Sequence, residues 1–326
     1  MPFLLLLLLG LSGAVLAQSS EPIRYTVTEP AGVSLTLDGT LTLPATTKGP
    51  VPVILLIAGS GPTDRDCNNP TPVGGKTVQG ASFRLLTDSL VQQGIAVARY
   101  DKRYSGKNLL AASVLIKMPD HRFDYYVSDA VGFIRQLQAD KRFSRVVVAG
   151  HSEGSLVGML AATKTNADAF VSLSGPGQNI ADAIRPQLAT LPEAQRELAY
   201  RDLDSLRSGQ SVRQPPAVLM SVMAPSIQPY MMSWMKYDPS VEIKRFRGPV
   251  LLINGGRDIQ VGVTEAEALK KARPDAKLVV YPNMTHMLKN SVSASMADNL
   301  NTYHDPSLPL TPGLATELAR FVTKEQ

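Results

Sequence analysis

The chain is poor in cysteine, histidine and aromatic residues, and each shortage narrows what it can be. Cys67 is the one cysteine among 326 residues, so a disulfide within the chain is excluded. A single thiol in a chain of this size reads as a partly exposed structural residue, not a nucleophile. Four histidines, His121, His151, His286 and His304, leave few candidates for a general base and form no recognisable metal-ligand spacing. Neither a metal nor a cofactor is expected. Aromatic residues make up 6% of the chain and charged residues 19%. The net charge of +5 comes from scattered basic residues. They form no stripe interleaved with aromatics, which argues against a nucleic-acid partner.

Only the first residues hold a leucine-dominated apolar run, residues 3–9. It is too short for a convincing membrane span. Val15-Leu16-Ala17 then offers the small residues that a signal peptidase needs, before the polar Gln18-Ser19-Ser20-Glu21. No Lys or Arg precedes the run, so the amino terminus alone supplies positive charge there. The expectation is a cleavable signal peptide over residues 1–17, cut after Ala17. The mature protein would then be periplasmic or secreted, with no stable membrane insertion. No cysteine follows closely enough for a lipoprotein anchor.

Beyond that segment, strands and helices alternate. Residues 23–27 and 33–43 alternate in polarity around Asp38-Gly39 and read as antiparallel strands. Residues 51–57, 95–100, 144–151, 170–173 and 250–253 are apolar runs, as expected of strands buried on both faces of a parallel sheet. Residues 278–281 read as a further strand. Helical patterns lie between them, at 82–92, 123–138, 264–272 and 313–324. From residue 179 to 245 the alternation stops. Helical patterns and Pro215, Pro216, Pro225 and Pro229 occur there without a clear strand. The expected organisation is an α/β core from 18 to 178, an inserted helical cap from 179 to 245, and the rest of the core from 246 to 326.

The most informative stretch is Gly150-His151-Ser152-Glu153-Gly154, which follows an apolar strand and precedes a run rich in small and aliphatic residues. A G-x-S-x-G motif between strand and helix places its serine on a sharp, strained turn with the hydroxyl exposed. A serine hydroxyl needs an adjacent base to become nucleophilic, and the base needs an orienting carboxylate. His151 points away from Ser152 on such a turn, His121 precedes the serine, and His304 lies in a polar stretch expected to be solvated. His286 follows the strand ending at residue 281 by a few residues, which makes it the candidate base. Asp258, just past the strand ending at residue 253 and after Gly255-Gly256, is the candidate acid. The order Ser152, Asp258, His286 is that of hydrolases built on strand-to-helix elbows. Backbone amides of Glu153 and of Ser60, in Gly59-Ser60-Gly61, are placed to receive an oxyanion.

On these residues the sequence resembles the α/β-hydrolase superfamily from about residue 25 onward. More narrowly, it is similar to exported bacterial esterases related to serine aminopeptidases. The matching pieces are residues 58–66, 99–103, 150–154, 237–239 and 255–258. The resemblance implies the α/β-hydrolase fold, a mostly parallel central sheet flanked by helices, with Ser152 as nucleophile, Asp258 as acid and His286 as base. It also implies Ser60 and Glu153 as the oxyanion hole. Two positions depart from the pattern: Tyr104 stands where relatives usually carry glycine, and Ala58 where many carry histidine. Both departures bear on the pocket mouth.

The charge groups Asp64-Arg65-Asp66 and Asp101-Lys102-Arg103 read as structural. The Asn283-Met284-Thr285 sequon adjoins the candidate base, where a glycan would obstruct the site, and reads as coincidence. Met220, Met223, Met231, Met232, Trp234 and Met235 crowd into one part of the cap. They suit either an adaptable apolar surface or ordinary packing, with Met231, Trp234 and Met235 as candidate pocket residues. Carboxylic esters of small molecules are the expected substrates. An aminopeptidase, thioesterase or acyltransferase remains open on the same residues, as does a non-catalytic binding protein. An aminopeptidase would need an anion for the substrate amine, which Glu153, Glu193 or Glu197 could supply.

Overall fold

A computed structural model of the chain describes residues 18–28, 32–45 and 48–324. The expected signal segment, residues 1–17, lies outside them. The described chain runs through β1 (Ser19–Thr28), β2 (Ser34–Leu43), β3 (Val51–Ile57), β4 (Asn69–Val73), β5 (Lys76–Val78), α1 (Ser82–Val91) and β6 (Ala96–Tyr100). It continues through α2 (Leu109–Leu115), α3 (Phe123–Ala139), β7 (Phe143–His151), α4 (Glu153–Thr165) and β8 (Ala169–Leu173). Helices α5 (Ile180–Ile184), α6 (Glu193–Arg207), α7 (Met220–Met223), α8 (Gln228–Trp234) and α9 (Pro239–Glu242) follow. The chain closes with β9 (Val250–Gly255), α10 (Val263–Ala272), β10 (Lys277–Tyr281), α11 (Met296–His304) and α12 (Leu314–Thr323).

Among the described residues, eight strands form one sheet in the order β1-β2-β6-β3-β7-β8-β9-β10. β1 and β2 pair antiparallel, β2 pairs antiparallel with β6, and every pairing from β6 to β10 is parallel. The continuous apolar run of β3 is explained by its central place. Val53, Leu55 and Ile57 pack into the core on one face, with α3 and α4, while Ile54 and Leu56 pack on the other, with α1 and α12. A strand covered on both sides has no polar face to show. The chain leaves β3 toward β6 on one side, and β7 lies on the other. Such a reversal opens a crevice at the carboxyl ends of the strands, where ligands bind in open α/β sheets.

Four elements were not expected from the sequence. The β4–β5 hairpin contains Pro70 and Pro72, which read as loop and are tolerated because the two strands pair only with each other. α2 is a seven-residue helix with no side-chain cap. α11 is polar, yet the Ser295 side chain accepts from the Asp298 amide at 3.1 Å, a start signal within an otherwise loop-like composition. No helix of the described residues is long and apolar enough to cross a membrane.

Candidate active site

β7 delivers the chain to Ser152, whose φ of +55° and ψ of −127° are strained for a residue with a side chain. The turn is pinned on both sides. The Ser152 amide donates to the Leu173 carbonyl at 3.0 Å, and the Ser155 amide donates to the Ser152 carbonyl at 2.9 Å. The two glycines of the motif are required by space. A Cβ on Gly150 would lie 2.0 Å from the Gly154 carbonyl oxygen, and one on Gly154 would lie 2.3 Å from that of Ile57. Any other residue would force α4 away from β3 and β7 and lower the serine back into the sheet.

Asp258 and His286 come together from neighbouring strands. The His286 Nδ1–H donates to Asp258 Oδ2 at 2.8 Å. Asp258 Oδ1 accepts from the amides of Gln260 and Val261, both at 2.9 Å. Burial alone would raise the Asp258 carboxyl, but the facing His286 and the two amides outweigh it and hold it below the usual carboxylate range. The loops carrying the pair are tied by Gly256 N–H to Tyr281 C=O at 2.9 Å and Arg257 N–H to Met284 C=O at 3.0 Å. With Nδ1 donating, the Nε2 lone pair of His286 is free to take a proton. Among the described residues no direct hydrogen bond joins the Ser152 hydroxyl to the imidazole. Such contacts are often long in unliganded sites and tighten when substrate arrives.

His151 faces inward, as the elbow demands, and its Nε2–H donates to the His286 carbonyl oxygen at 2.8 Å. Its Nδ1 lies 3.9 Å from the Cys67 sulfur and accepts from the thiol. Burial pulls the His151 pKa down to about 3, with His286 adding to the effect. The same burial pushes the Cys67 thiol up to about 12. Cys67 is therefore a buried, unreactive thiol, not the partly exposed one expected from its isolation in the sequence.

The amide of Glu153 opens α4, in the turn where N–H groups have no partner within the helix. Ser60 follows β3, and both residues line the cavity beside Ser152. Beneath them lies an ionic network that the sequence did not reveal. Asp101 and Arg103 are structural, as expected: Asp101 pairs with Arg65 at 2.6 Å and Arg103 with Asp129 at 2.6 Å. Lys102 between them is different. It is fully buried, donates to the Gly59 carbonyl, and lies 3.5 Å from Glu153 Oε1. It also sits 4.8 Å from the centroid of the Tyr126 ring. The Tyr230 hydroxyl, from α8, donates to Glu153 Oε2 at 2.8 Å. The signal was position alone: a lysine just past the carboxyl end of a central strand.

The cavity above Ser152 measures about 1380 Å³ and is mainly apolar. Met231 and Trp234 line it, with Ile184 and Tyr104. Met235, expected beside them, is buried in the core cluster and does not line the cavity. Met235 ends α8 one turn beyond Met231, and there its side chain lies in the core instead of at the cavity wall. Tyr104 takes a left-handed φ of +58°, which accounts for glycine being the usual residue at that position. Its hydroxyl donates to the Ile116 carbonyl at 3.0 Å. The lining carboxylates are Glu153 and Glu265, and Glu265 accepts from the Gly177 amide at 2.7 Å and the Gln178 side chain at 2.5 Å. Glu193 and Glu197 are exposed on α6, away from the cavity.

Residues 74–291 match the family described as serine aminopeptidase, S33. The esterase EstD of Thermotoga maritima is 27% identical over 265 residues, covering 77% of this chain and 58% of EstD. The chain thus spans a little over half the length of that curated relative. Among solved structures, Est1E from Butyrivibrio proteoclasticus superposes with a TM-score of 0.54 at 16% identity, covering 92% of this chain and 99% of Est1E. The Pyrococcus furiosus esterase Pf2001 gives 0.52 at 15% identity, covering 93% and 92%. At these identities the likeness is one of fold, and the fold is the α/β-hydrolase sheet.

Proposed function

The chain belongs to the serine aminopeptidase S33 family of hydrolases, and on that premise we propose that it cleaves carboxylic esters through an acyl-enzyme. The observation that carries this reading is Ser152 on its strained elbow, opening into an apolar cavity with the Asp258–His286 pair beside it. His286 Nε2 takes the Ser152 proton as Oγ attacks the ester carbonyl. The Ser60 and Glu153 amides receive the developing oxyanion. Collapse breaks the ester bond, His286 returns the proton to the leaving alkoxide, and an acyl-Ser152 remains. Water, deprotonated by the same imidazole, then releases the acid and restores the serine. Asp258 keeps the imidazole oriented and stabilises its charged form.

The aminopeptidase alternative needs a carboxylate free to hold a substrate amine. Both acids that line the cavity already face partners: Tyr230 donates to Glu153 Oε2 and Lys102 lies 3.5 Å from Oε1, while Glu265 accepts from Gly177 and Gln178. The cavity wall therefore favours an apolar acyl group over a charged terminus. EstD, named as an esterase, points the same way. The export reading also enters as a proposal, with the mature chain beginning at Gln18. It is supported by the leader-like residues 1–17 and by β1 starting at Ser19.

Two measurements test the function. A fluorophosphonate should label wild-type protein at Ser152 and leave Ser152→Ala unlabelled. In a substrate panel, p-nitrophenyl esters of butyrate to octanoate should turn over while aminoacyl-p-nitroanilides do not. Faster cleavage of the anilides than of every ester would replace the esterase reading with the aminopeptidase. Intact residues 1–17 in protein isolated from its host, read by mass spectrometry, would overturn export.

A further inference from the structure

A lysine without solvent is costly unless its charge is met on all sides. Lys102 is met by three groups: the Gly59 carbonyl, the Glu153 carboxylate and the face of Tyr126. Two of the three belong to the residues that flank or supply the oxyanion-hole amides. The Gly59 carbonyl and the Ser60 amide are opposite ends of one planar peptide unit. Whatever anchors that oxygen fixes the direction of the Ser60 N–H. A cation on the oxygen also draws electron density from the amide and makes its hydrogen a stronger donor.

Glu153 poses the opposite problem. Its amide is needed by the oxyanion, yet its own carboxylate is buried at the same corner of the site and would repel the charge that forms there. The hydroxyl of Tyr230 bonds one carboxylate oxygen, and the Lys102 nitrogen lies 3.5 Å from the other, an ion-pair distance at an oxygen that accepts no hydrogen bond among the described residues. Burial lowers the proton affinity of Lys102, and Glu153 opposes that shift.

We propose that Lys102 is a positioning residue for the oxyanion hole, fixing and polarising the Gly59–Ser60 peptide and cancelling the field of the Glu153 carboxylate. This rests on the acyl-transfer reading above. Its effect belongs to the tetrahedral state, where the oxyanion exists, and not to the bound ground state.

The test compares wild type with Lys102→Met and with Lys102→Met/Glu153→Gln, the second variant removing the carboxylate that the first would leave unpaired. Each is assayed for kcat and KM on p-nitrophenyl butyrate, for inhibition by an alkyl trifluoromethyl ketone, and for the rate of fluorophosphonate labelling. The expected result in the folded double variant is a KM within about threefold of wild type and a kcat lower by about a hundredfold. That is the size of loss seen when one oxyanion donor is removed. Trifluoromethyl ketone affinity and labelling rate should fall with kcat. A kcat within threefold of wild type overturns the proposal, as does a kcat loss with unchanged trifluoromethyl ketone affinity. Labelling reads the hole whatever the natural acyl group is. Wild-type protein that labels but hydrolyses no ester would sink the esterase reading alone, while the labelling ratio still judges Lys102.

Discussion

His151 holds the backbone of His286: its Nε2–H meets the His286 carbonyl oxygen at 2.8 Å, and the two rings lie 4.5 Å apart. The residue before the candidate nucleophile thus sets where the candidate base stands. Removing the ring leaves a buried carbonyl unpaired, at a cost of about 1–3 kcal/mol, and frees the loop after β10. His151→Ala should lower kcat on p-nitrophenyl butyrate by about ten- to a hundredfold, with a smaller change in KM. His151→Gln, which retains a donor, should recover part of the loss. Equal kcat in the alanine and wild-type proteins would mean that the His286 loop holds its place without this bond.

The same ring makes stability depend on pH, and His121 adds to it. His121 is buried, neither of its ring nitrogens has a hydrogen-bond partner among the described residues, and it stacks on Tyr230 at 5.1 Å. Burial, then Arg103, Lys102 and Arg122, pull its pKa down to about 3, the value also reached by His151. In the unfolded chain each ring titrates at about 6.5. Between about pH 6.5 and 3 the unfolded state therefore binds more protons than the native state. Stability is full above that window and falls as pH drops through it, by up to about 1.4 kcal/mol per pH unit per histidine. His121→Phe keeps the stacking, loses no hydrogen bond and removes one titrating ring. Its Tm should fall less steeply than that of wild type between pH 6.5 and 4. Identical slopes would show that His121 charges in the native state at no cost.

Much of this site was legible because the chemistry is local. Gly150, Ser152 and Gly154 sit within five residues, and the apolar strand before them signals the turn. Asp258 and His286 are 28 positions apart, but each follows its own strand, so their meeting follows from parallel neighbours β9 and β10. What stayed hidden is what only packing defines. Lys102 looks like one charge among three until β6 sets it beneath the turn after β3. Met235 is indistinguishable from Met231 until the end of α8 shows which of the two reaches the cavity. The inward hold of His151 on His286 joins residues 135 positions apart, and nothing in the sequence signals that bond.

Ser152 separates stability from activity. Its strained backbone costs about 1–3 kcal/mol, and glycine is the one residue that adopts such angles without penalty. Ser152→Ala should abolish ester hydrolysis and shift stability by no more than about 1 kcal/mol, because it keeps the strain and buries nothing new. Ser152→Gly should also be inactive but more stable than Ser152→Ala in urea. If glycine were the less stable of the two, the elbow would not be a strained turn in solution.

The size of the cavity sets the last expectation. Met231 lines it from α8 and is itself buried, at 3% exposure. Across p-nitrophenyl acetate, butyrate, hexanoate and octanoate, each methylene that enters the cavity should add up to about 0.8 kcal/mol of transition-state binding. kcat/KM should then rise until the space is filled. Met231→Phe adds bulk to the wall and should move the optimum to a shorter chain, while Met231→Ala should move it to a longer one. The alanine variant also loses about 2–5 kcal/mol of stability, as large-to-small core changes do, so both proteins are compared well below their Tm. A chain-length optimum that stays fixed in both variants would place the acyl group elsewhere. It would then lie against another part of the same cavity wall, such as Ile259 and Thr264, with the alcohol beside Met231.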